Sequence, residues 1–196
     1  MNIVLGLISV AGVAGTFYFG VRAVRLEKQC NRFSWSDVLE GCNQLAAEAI
    51  TGFEPDAMGC FPGASAIVGN LMLEAVVRQV PVFSILLVDK NNKIKTATTD
   101  MATYERIETS KWELLVPKQL LQATDSKLLL VDASVLTGDS FANIVNALLS
   151  RGFNPEKVKT CSLIATQSSV DSNKGPDYYW YASDSHVYFF PWGRAY

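Results

Sequence analysis

The sequence has few of the residues that build metal sites and disulfide scaffolds. Its 196 residues include a single histidine, His186, and four cysteines, none of which forms a Cys-x-x-Cys pair. The ligand spacing of a structural zinc site is therefore missing. A chain of this length also buries enough apolar surface to fold without disulfides, so we expect no disulfide scaffold.

A strong excess of positive charge is missing as well. The formal net charge is −2 at pH 7, which excludes the strongly basic surface that coats nucleic acids. We therefore expect no direct binding of nucleic acids. The sequence also contains neither GxGxxG nor GxxxxGK[ST], which weakens a dinucleotide-binding or P-loop interpretation.

The first 21 residues contain no Asp, Glu, Lys or Arg, and Arg22, Arg25 and Lys28 follow at once. As a helix, residues 2–21 would be about 30 Å long, the thickness of the hydrocarbon core of a bilayer. A cleaved signal peptide would need positive charge before the apolar run and a small-residue cleavage site after it. The sequence has no such charge and only a poor cleavage site. We predict a single-pass membrane anchor with its basic juxtamembrane segment over residues 1–29. The positive-inside rule places the C-terminal domain in the cytoplasm. A buried core helix is the alternative.

Residues 30–196 are predicted to form one α/β domain. Apolar residues recur at helical spacing in four segments, residues 34–50, 66–77, 117–123 and 141–149. Continuous apolar runs typical of strands buried on both faces occupy residues 82–88, 128–131 and 158–165. Residues 96–111 are polar and poorly patterned, which indicates a long loop. Strands that alternate with helices predict a mostly parallel sheet with flanking helices.

The segment 128–149 is the most informative part of the sequence. Asp132 ends a predicted strand, and ligands gather at the carboxyl ends of strands in parallel sheets. Residues 137–140 fall where the next helix begins, so their backbone N–H groups and hydroxyls can surround an anion. A carboxylate followed by an anion cradle suits a sugar phosphate. An ordinary strand-to-helix connection, with Asp139 or Ser140 as the N-cap, explains the same residues equally well.

This segment resembles the phosphoribosyl pyrophosphate motif of type I phosphoribosyltransferases, a hydrophobic strand and two acids followed by Thr-Gly-x-Thr/Ser. The resemblance implies that Asp132 is the catalytic carboxylate that holds the ribose hydroxyls. It also implies a set of residues that bind the 5′-phosphate. These are Thr137, Gly138, Asp139 and Ser140.

Other parts of the sequence match the same family in order along residues 30–196. Residues 96–111 lie where the family has its mobile catalytic flap. The C-terminal aromatic segment is similar to the purine-type hood, which implies that His186 stacks on the base and that the Val187 backbone binds its edge. The loop after residue 61 looks like the family's pyrophosphate loop. Its binding residues would be Pro62, Gly63, Ala64 and Ser65.

Three positions depart from the family pattern. Ala133 stands where the family has a second acid, which helps to hold the ribose hydroxyls. Thr166 stands where purine-type members have a lysine that recognises the base. Asp139 places a carboxylate in a phosphate loop, where it would repel the ligand.

The resemblance implies a membrane-anchored enzyme that transfers ribose 5-phosphate from phosphoribosyl pyrophosphate to a purine-like nucleobase. Mg²⁺ would bridge the oxygens of the pyrophosphate and the ribose, with no protein residue assigned as a metal ligand. Its partners would be phosphoribosyl pyrophosphate, a nucleobase and the membrane, and a homodimer is a candidate assembly. Two alternatives remain open: a catalytically weakened module of the same fold that senses phosphoribosyl pyrophosphate or a nucleotide, and an interaction protein that uses the fold as a scaffold.

Overall fold

The computed structural model describes residues 31–89, 101–108, 112–185 and 187–194. The strands are β1 (Asn31–Arg32), β2 (Ala57–Cys60), β3 (Val82–Ser84), β4 (Leu86–Asp89), β5 (Tyr104–Glu108), β6 (Trp112–Pro117), β7 (Leu128–Val135), β8 (Val158–Thr166), β9 (Tyr178–Ser183), β10 (Tyr188–Phe190) and β11 (Gly193–Arg194). The α-helices are α1 (Trp35–Leu45), α2 (Ala64–Glu74), α3 (Lys118–Gln122), α4 (Asp139–Leu149) and α5 (Gln167–Asp171).

The centre of the fold is a five-stranded sheet in the order β3-β2-β7-β8-β9. Every neighbouring pair in this sheet is parallel. The central strand β7 pairs Leu128 with Ala57 of β2 on one side and with Val158 of β8 on the other. The predicted α/β class with a mostly parallel sheet is therefore confirmed.

Two apolar cores lie on the two faces of this sheet. Side chains of successive strand residues point to opposite faces, and in β7 Leu129 and Val131 enter one core while Leu128 and Leu130 enter the other. The first core is completed by α1, α2 and β10. The second is completed by α4 and by strands of a smaller sheet. Strands covered on both faces explain why β7 and β8 are nearly continuous apolar runs.

Helix α1 begins at Trp35 because Ser34 caps it. The Ser34 hydroxyl accepts a hydrogen bond of 3.2 Å from the Asp37 N–H, and Asp37 Oδ2 accepts one of 2.7 Å from the Ser34 N–H. This reciprocal pair is a capping box. The predicted helix over residues 34–50 is present, but its last part, Ala46–Gly52, continues as a π-helix.

The predicted single strand over residues 82–88 is wrong, because the chain changes partner within it. Residues of β3 pair with β2 in the parallel sheet, whereas β4 pairs with β6 in a separate antiparallel sheet of order β4-β6-β5. Ile85, between the two strands, is 1% exposed and enters the second core. Ser84, the last residue of β3, is the single polar residue of the run, and it is too weak a signal to divide one strand into two.

The predicted loop over residues 96–111 is wrong where the structure describes it. Residues 101–103 form a 3-10 turn, and β5 follows and pairs antiparallel with β6. In β5 Ile107 is buried opposite Leu114, while Arg106 and Glu108 are exposed. This alternation is typical of a strand with one solvated face. The charged residues on that face made the segment look like a loop in the sequence. The positions 90–100 and 109–111 lie outside the described residues.

A third sheet, of order β1-β10-β11, joins the two ends of the described chain. Strand β1 runs parallel to β10, with Asn31 opposite Tyr188. No helix among the described residues is long and apolar enough to span a bilayer. The predicted anchor over residues 1–29 falls outside the described part of the chain.

Candidate functional site

The connection between β2 and α2 contains the four residues expected to bind pyrophosphate. Pro62 and Gly63 are exposed, Ala64 is half-buried, and Ser65 is buried at the start of the helix. Gly63 has φ +81° and ψ −124°, a conformation that favours glycine. A Cβ atom there would meet no atom within 4 Å. The loop therefore needs glycine for its backbone conformation, and the side of Gly63 where a Cβ would point is open.

Ser65 connects this loop to the predicted catalytic carboxylate. Its hydroxyl donates a hydrogen bond of 2.7 Å to Asp132 Oδ1 and accepts one of 3.3 Å from the Ala133 N–H. The same Oδ1 accepts a bond of 2.7 Å from the Ala133 N–H. The structure thus brings together two predicted site residues, Ser65 from the first turn of α2 and Asp132 from β7.

Asp132 is half-buried, whereas every other residue of β7 is buried. Its carboxyl group is nevertheless poorly solvated. Burial raises the pKa of Asp132, and hydrogen bonds from Ser65 and from the N–H groups of Ala133 and Ser134 lower it in part. A carboxyl group tuned by burial and by specific donors is typical of functional sites. The ionised carboxylate is the stronger hydrogen-bond acceptor, and these three donors favour that form.

The predicted phosphate-binding residues form the turn between β7 and α4. Gly138 adopts a left-handed conformation, with φ +74° and ψ −5°, and is the N-cap of α4. Thr137 and Asp139 are exposed, and Ser140 is half-buried in the first turn of the helix. All four residues thus lie at the amino end of a helix, where N–H groups favour an anion.

Lys174 reaches this turn from the segment after α5. Its Nζ lies 3.2 Å from Asp139 Oδ1, and a Cβ at Gly138 would lie 1.9 Å from the Lys174 carbonyl oxygen. Sequence reasoning missed this residue. It lies 35 positions from Asp139, and no motif surrounds it, so no sequence signal marks the contact.

A comparison with models of protein families shows the family of the chain. The sequence model of the family described as uracil phosphoribosyltransferase matches residues 69–176, which is more than half of the chain. The chain belongs to the uracil phosphoribosyltransferase family. The predicted membership in the type I phosphoribosyltransferases is confirmed at this level. No curated protein is similar enough in sequence to count as a match.

Solved structures show the same fold. The purine phosphoribosyltransferase of Pyrococcus horikoshii has a TM-score of 0.57 at 14% identity, over 84% of this chain and 94% of that one. The Helicobacter pylori xanthine-guanine-hypoxanthine phosphoribosyltransferase has a TM-score of 0.51 at 20% identity, over 83% and 91% of the two chains. An adenine phosphoribosyltransferase (APRTase) of Giardia lamblia, in complex with 9-deazaadenine, has a TM-score of 0.53 at 12% identity, over 76% and 84%.

Two of the three departures from the family pattern, Ala133 and Thr166, take structural roles in this protein. Ala133 is 3% exposed and belongs to the first core together with Leu129 and Val131. Thr166 is the N-cap of α5, where its hydroxyl accepts a bond of 3.1 Å from the Ser169 N–H and donates to the Leu136 carbonyl. Neither side chain is therefore available to a ligand in this arrangement.

The region expected to bind the base is described only in part. His186 lies outside the described residues. Val187 directs its backbone into the third sheet: its N–H donates to the Ser185 hydroxyl at 3.1 Å, and its carbonyl accepts from the Asn31 N–H at 3.2 Å. The Val187 backbone is therefore already hydrogen-bonded within the fold.

The aromatic residues near the C-terminus pack mainly on one another. The ring of Trp192 stacks on Phe190 with centroids 4.8 Å apart, and Phe33 contacts Phe190 at 5.7 Å and Trp180 at 5.9 Å. Such contacts stabilise a fold without a ligand. Within the part of the chain that the structure describes, no group of three or more His, Cys, Asp or Glu side chains could hold a metal ion.

Proposed function

We propose that this chain is a membrane-anchored phosphoribosyltransferase that transfers ribose 5-phosphate from phosphoribosyl pyrophosphate to a purine-like nucleobase. The observation that carries the proposal is the hydrogen bond between Ser65 and Asp132, which unites the pyrophosphate loop with the strand that leads to residues 137–140. Family membership supports this class of chemistry. The purine phosphoribosyltransferases among the solved structures of this fold support a purine-like base.

In the proposed reaction, a nitrogen of the nucleobase forms a bond to C1 of the ribose. The bond from C1 to the pyrophosphate oxygen breaks, pyrophosphate leaves with the electron pair, and the nucleobase nitrogen releases its proton to water. Residues 137–140 hold the 5′-phosphate, the ionised Asp132 accepts hydrogen bonds from the ribose hydroxyls, and residues 62–65 hold the pyrophosphate. The contribution of the protein is positioning and electrostatic stabilisation.

Mg²⁺ fits the donor set of this site as an ion held chiefly by its substrate. A hard cation with few protein ligands binds through phosphate oxygens and water, and Asp132 is the carboxylate that this proposal assigns to the ribose hydroxyls. When bound, Mg²⁺ neutralises charge on the departing pyrophosphate.

The membrane part of the proposal rests on the uncharged residues 1–21 and on the basic residues that follow them. The full-length protein should sediment with membranes and resist carbonate extraction, and deletion of residues 1–21 should release it. Recovery of the full-length protein in the soluble fraction would contradict the anchor without affecting the proposed chemistry.

A second function, that of a sensor for phosphoribosyl pyrophosphate or a nucleotide, is favoured by two observations. Ala133 is buried in the first core where the family has an acid, and Thr166 caps α5 where purine-type members have a lysine. A site that keeps the phosphate loop but lacks the second acid and the lysine can bind phosphoribosyl pyrophosphate and still catalyse its transfer poorly.

One experiment separates these functions. The full-length protein is incubated with phosphoribosyl pyrophosphate, Mg²⁺ and a panel of purines together with uracil, and pyrophosphate release and binding are both measured. Base-dependent release supports the enzyme, and binding without release supports the sensor. No binding of phosphoribosyl pyrophosphate, ribose 5-phosphate or phosphate at millimolar concentration would contradict both and leave the scaffold protein.

The double variant Thr137→Ala, Ser140→Ala tests the phosphate site itself. Each hydroxyl that donates to a charged phosphate contributes about 1.5–3 kcal/mol, and about 1.4 kcal/mol corresponds to a tenfold change in affinity. The double variant should therefore bind ribose 5-phosphate about a hundredfold more weakly or worse. An unchanged affinity would place the phosphate elsewhere.

A further inference from the structure

The carboxylate of Asp139 takes up a donor that a bound phosphate would need. Its Oδ2 accepts a hydrogen bond of 3.0 Å from the Thr137 hydroxyl. The Thr137 oxygen in turn accepts a bond of 3.4 Å from the Asp139 N–H. One hydroxyl and one helix N–H of the proposed phosphate loop are thus engaged by the loop itself, and the negative charge of Asp139 opposes a second anion.

Lys174 is held beside this carboxylate by its backbone. The Lys174 N–H donates to the Ser169 carbonyl at 2.9 Å, and its own carbonyl lies against Gly138, which has no Cβ to obstruct it. The side chains of Lys174 and Asp139 are 55% and 61% exposed. The ammonium group is therefore anchored near the loop, while both charged ends are more than half exposed to water.

We propose that Lys174 is a positioning residue of the phosphate loop that acts through Asp139. When a phosphate enters, the Asp139 carboxylate moves off the Thr137 hydroxyl and stays paired with Lys174, so Thr137 can donate to the phosphate. Lys174 thereby neutralises the charge that would repel the ligand. The carboxylate of Asp139 opposes phosphate binding, and the ammonium group of Lys174 assists it. This inference rests on the proposed function, because it assumes that residues 137–140 bind a phosphate.

The test is a double-mutant cycle on the full-length protein, with ribose 5-phosphate as the probe in titration calorimetry. Exposed charge pairs have modest energies, so Lys174→Met should weaken binding about two- to fivefold. Asp139→Asn should strengthen it by a similar factor. In the Asp139→Asn background, Lys174→Met should have a smaller effect, since the charge that it neutralises is gone. High salt should reduce each effect.

Two further variants separate positioning from a structural role. Lys174→Arg keeps the charge and should restore most of the affinity. Lys159→Met is the control, because Lys159 also forms an ion pair, with Asp177 at 3.0 Å, and lies at the amino end of β8, away from the loop. It removes the same charge and should leave ribose 5-phosphate affinity unchanged at physiological ionic strength.

The outcomes distinguish this inference from the proposed function. If the unmodified protein binds ribose 5-phosphate but Lys174→Met and Asp139→Asn bind it equally well, or both change affinity in the same direction, the inference is wrong and the phosphate site stands. An equal loss in Lys159→Met and Lys174→Met would also overturn it, as a general charge effect. If the unmodified protein binds neither ribose 5-phosphate nor phosphoribosyl pyrophosphate, the proposed function and the inference both fail.

Discussion

The hydroxyl of Ser65 donates a hydrogen bond of 2.7 Å to the carboxylate of Asp132 and so connects the start of α2 to the end of β7. The two residues are 67 positions apart in the sequence. In the proposed reaction one belongs to the leaving-group side and the other to the ribose side. A substitution at either residue should therefore affect both the leaving-group side and the ribose side of the site.

Ser65→Ala should weaken the binding of the ribose through its effect on Asp132. The variant removes a donor that lowers the pKa of Asp132, so the carboxyl group should hold its proton to higher pH. Loss of a hydrogen bond to a charged group costs about 1.5–3 kcal/mol. We expect weaker binding of ribose 5-phosphate, with the pH dependence of binding displaced upward, measured by calorimetry over a pH series. A loss of affinity with an unchanged pH dependence would contradict this route.

Asp132→Asn should stabilise the free protein while it weakens ligand binding. Burial raises the pKa of Asp132, so the folded state binds its proton more tightly than the unfolded state does. The contribution of Asp132 to stability is then greatest below its unfolded pKa and is lost as pH rises through its folded pKa. At pH 7 the amide should raise the free energy of unfolding by about 1 kcal/mol.

Urea unfolding of the Asp132→Asn variant across the acid range provides the measurement. Its stability should vary less with pH than that of the unmodified protein above the unfolded pKa of an aspartate, about 3.9. A variant that is less stable at pH 7 would show that the hydrogen bonds to the carboxylate outweigh the cost of burying it.

Ala133→Asp should not restore a ribose ligand. Ala133 is 3% exposed within the first core, so the added carboxylate would be buried without a designed partner. We expect a loss of about 3 kcal/mol or more in the free energy of unfolding and no gain in affinity. The control is Ala142→Asp on the exposed face of α4, where the same substitution should change stability by about 0.5 kcal/mol or less. Tighter binding in Ala133→Asp would mean that position 133 faces the ribose.

Gly138→Ala should unfold the phosphate turn. The residue has φ +74°, and a Cβ there would lie 1.9 Å from the Lys174 carbonyl oxygen. Gly152 is a matched control, since its φ is +93° but a Cβ there meets nothing within 4 Å. Gly152→Ala should cost about 1–2 kcal/mol for the left-handed backbone alone. Thermal unfolding should show a clearly larger loss for Gly138→Ala; equal losses would show that the Lys174 segment moves aside freely.

The site could be predicted where its residues are contiguous in sequence. Asp132 and residues 137–140 lie on one strand, turn and helix, so local pattern and motif were enough to place them together. The contacts of Ser65 with Asp132 and of Lys174 with Asp139 join separate elements. Nothing in the local sequence encodes such contacts, because the packing of the whole sheet creates them.

The fold was predictable from the same local patterns. The prediction failed where the local pattern of a strand is ambiguous. Buried runs such as β7 and β8 give a strong signal, since both of their faces are apolar. The division between β3 and β4 gives almost none, because Ser84 is the single polar residue there and Ile85 remains buried while the chain changes sheets. In β5 the charged residues conceal a strand whose single buried position is Ile107.

The order of the central sheet also constrains how the chain assembles. Strand β2 is made early in synthesis, but its neighbour β7 begins only at Leu128, after the whole β4-β6-β5 sheet. Pairing across so long a stretch must overcome loop-closure entropy before any contact compensates for it, which slows folding. Until β7 is made, the backbone N–H and C=O groups on the edge of β2 that faces it have no strand partner. A nascent chain held at this stage is the species most exposed to aggregation.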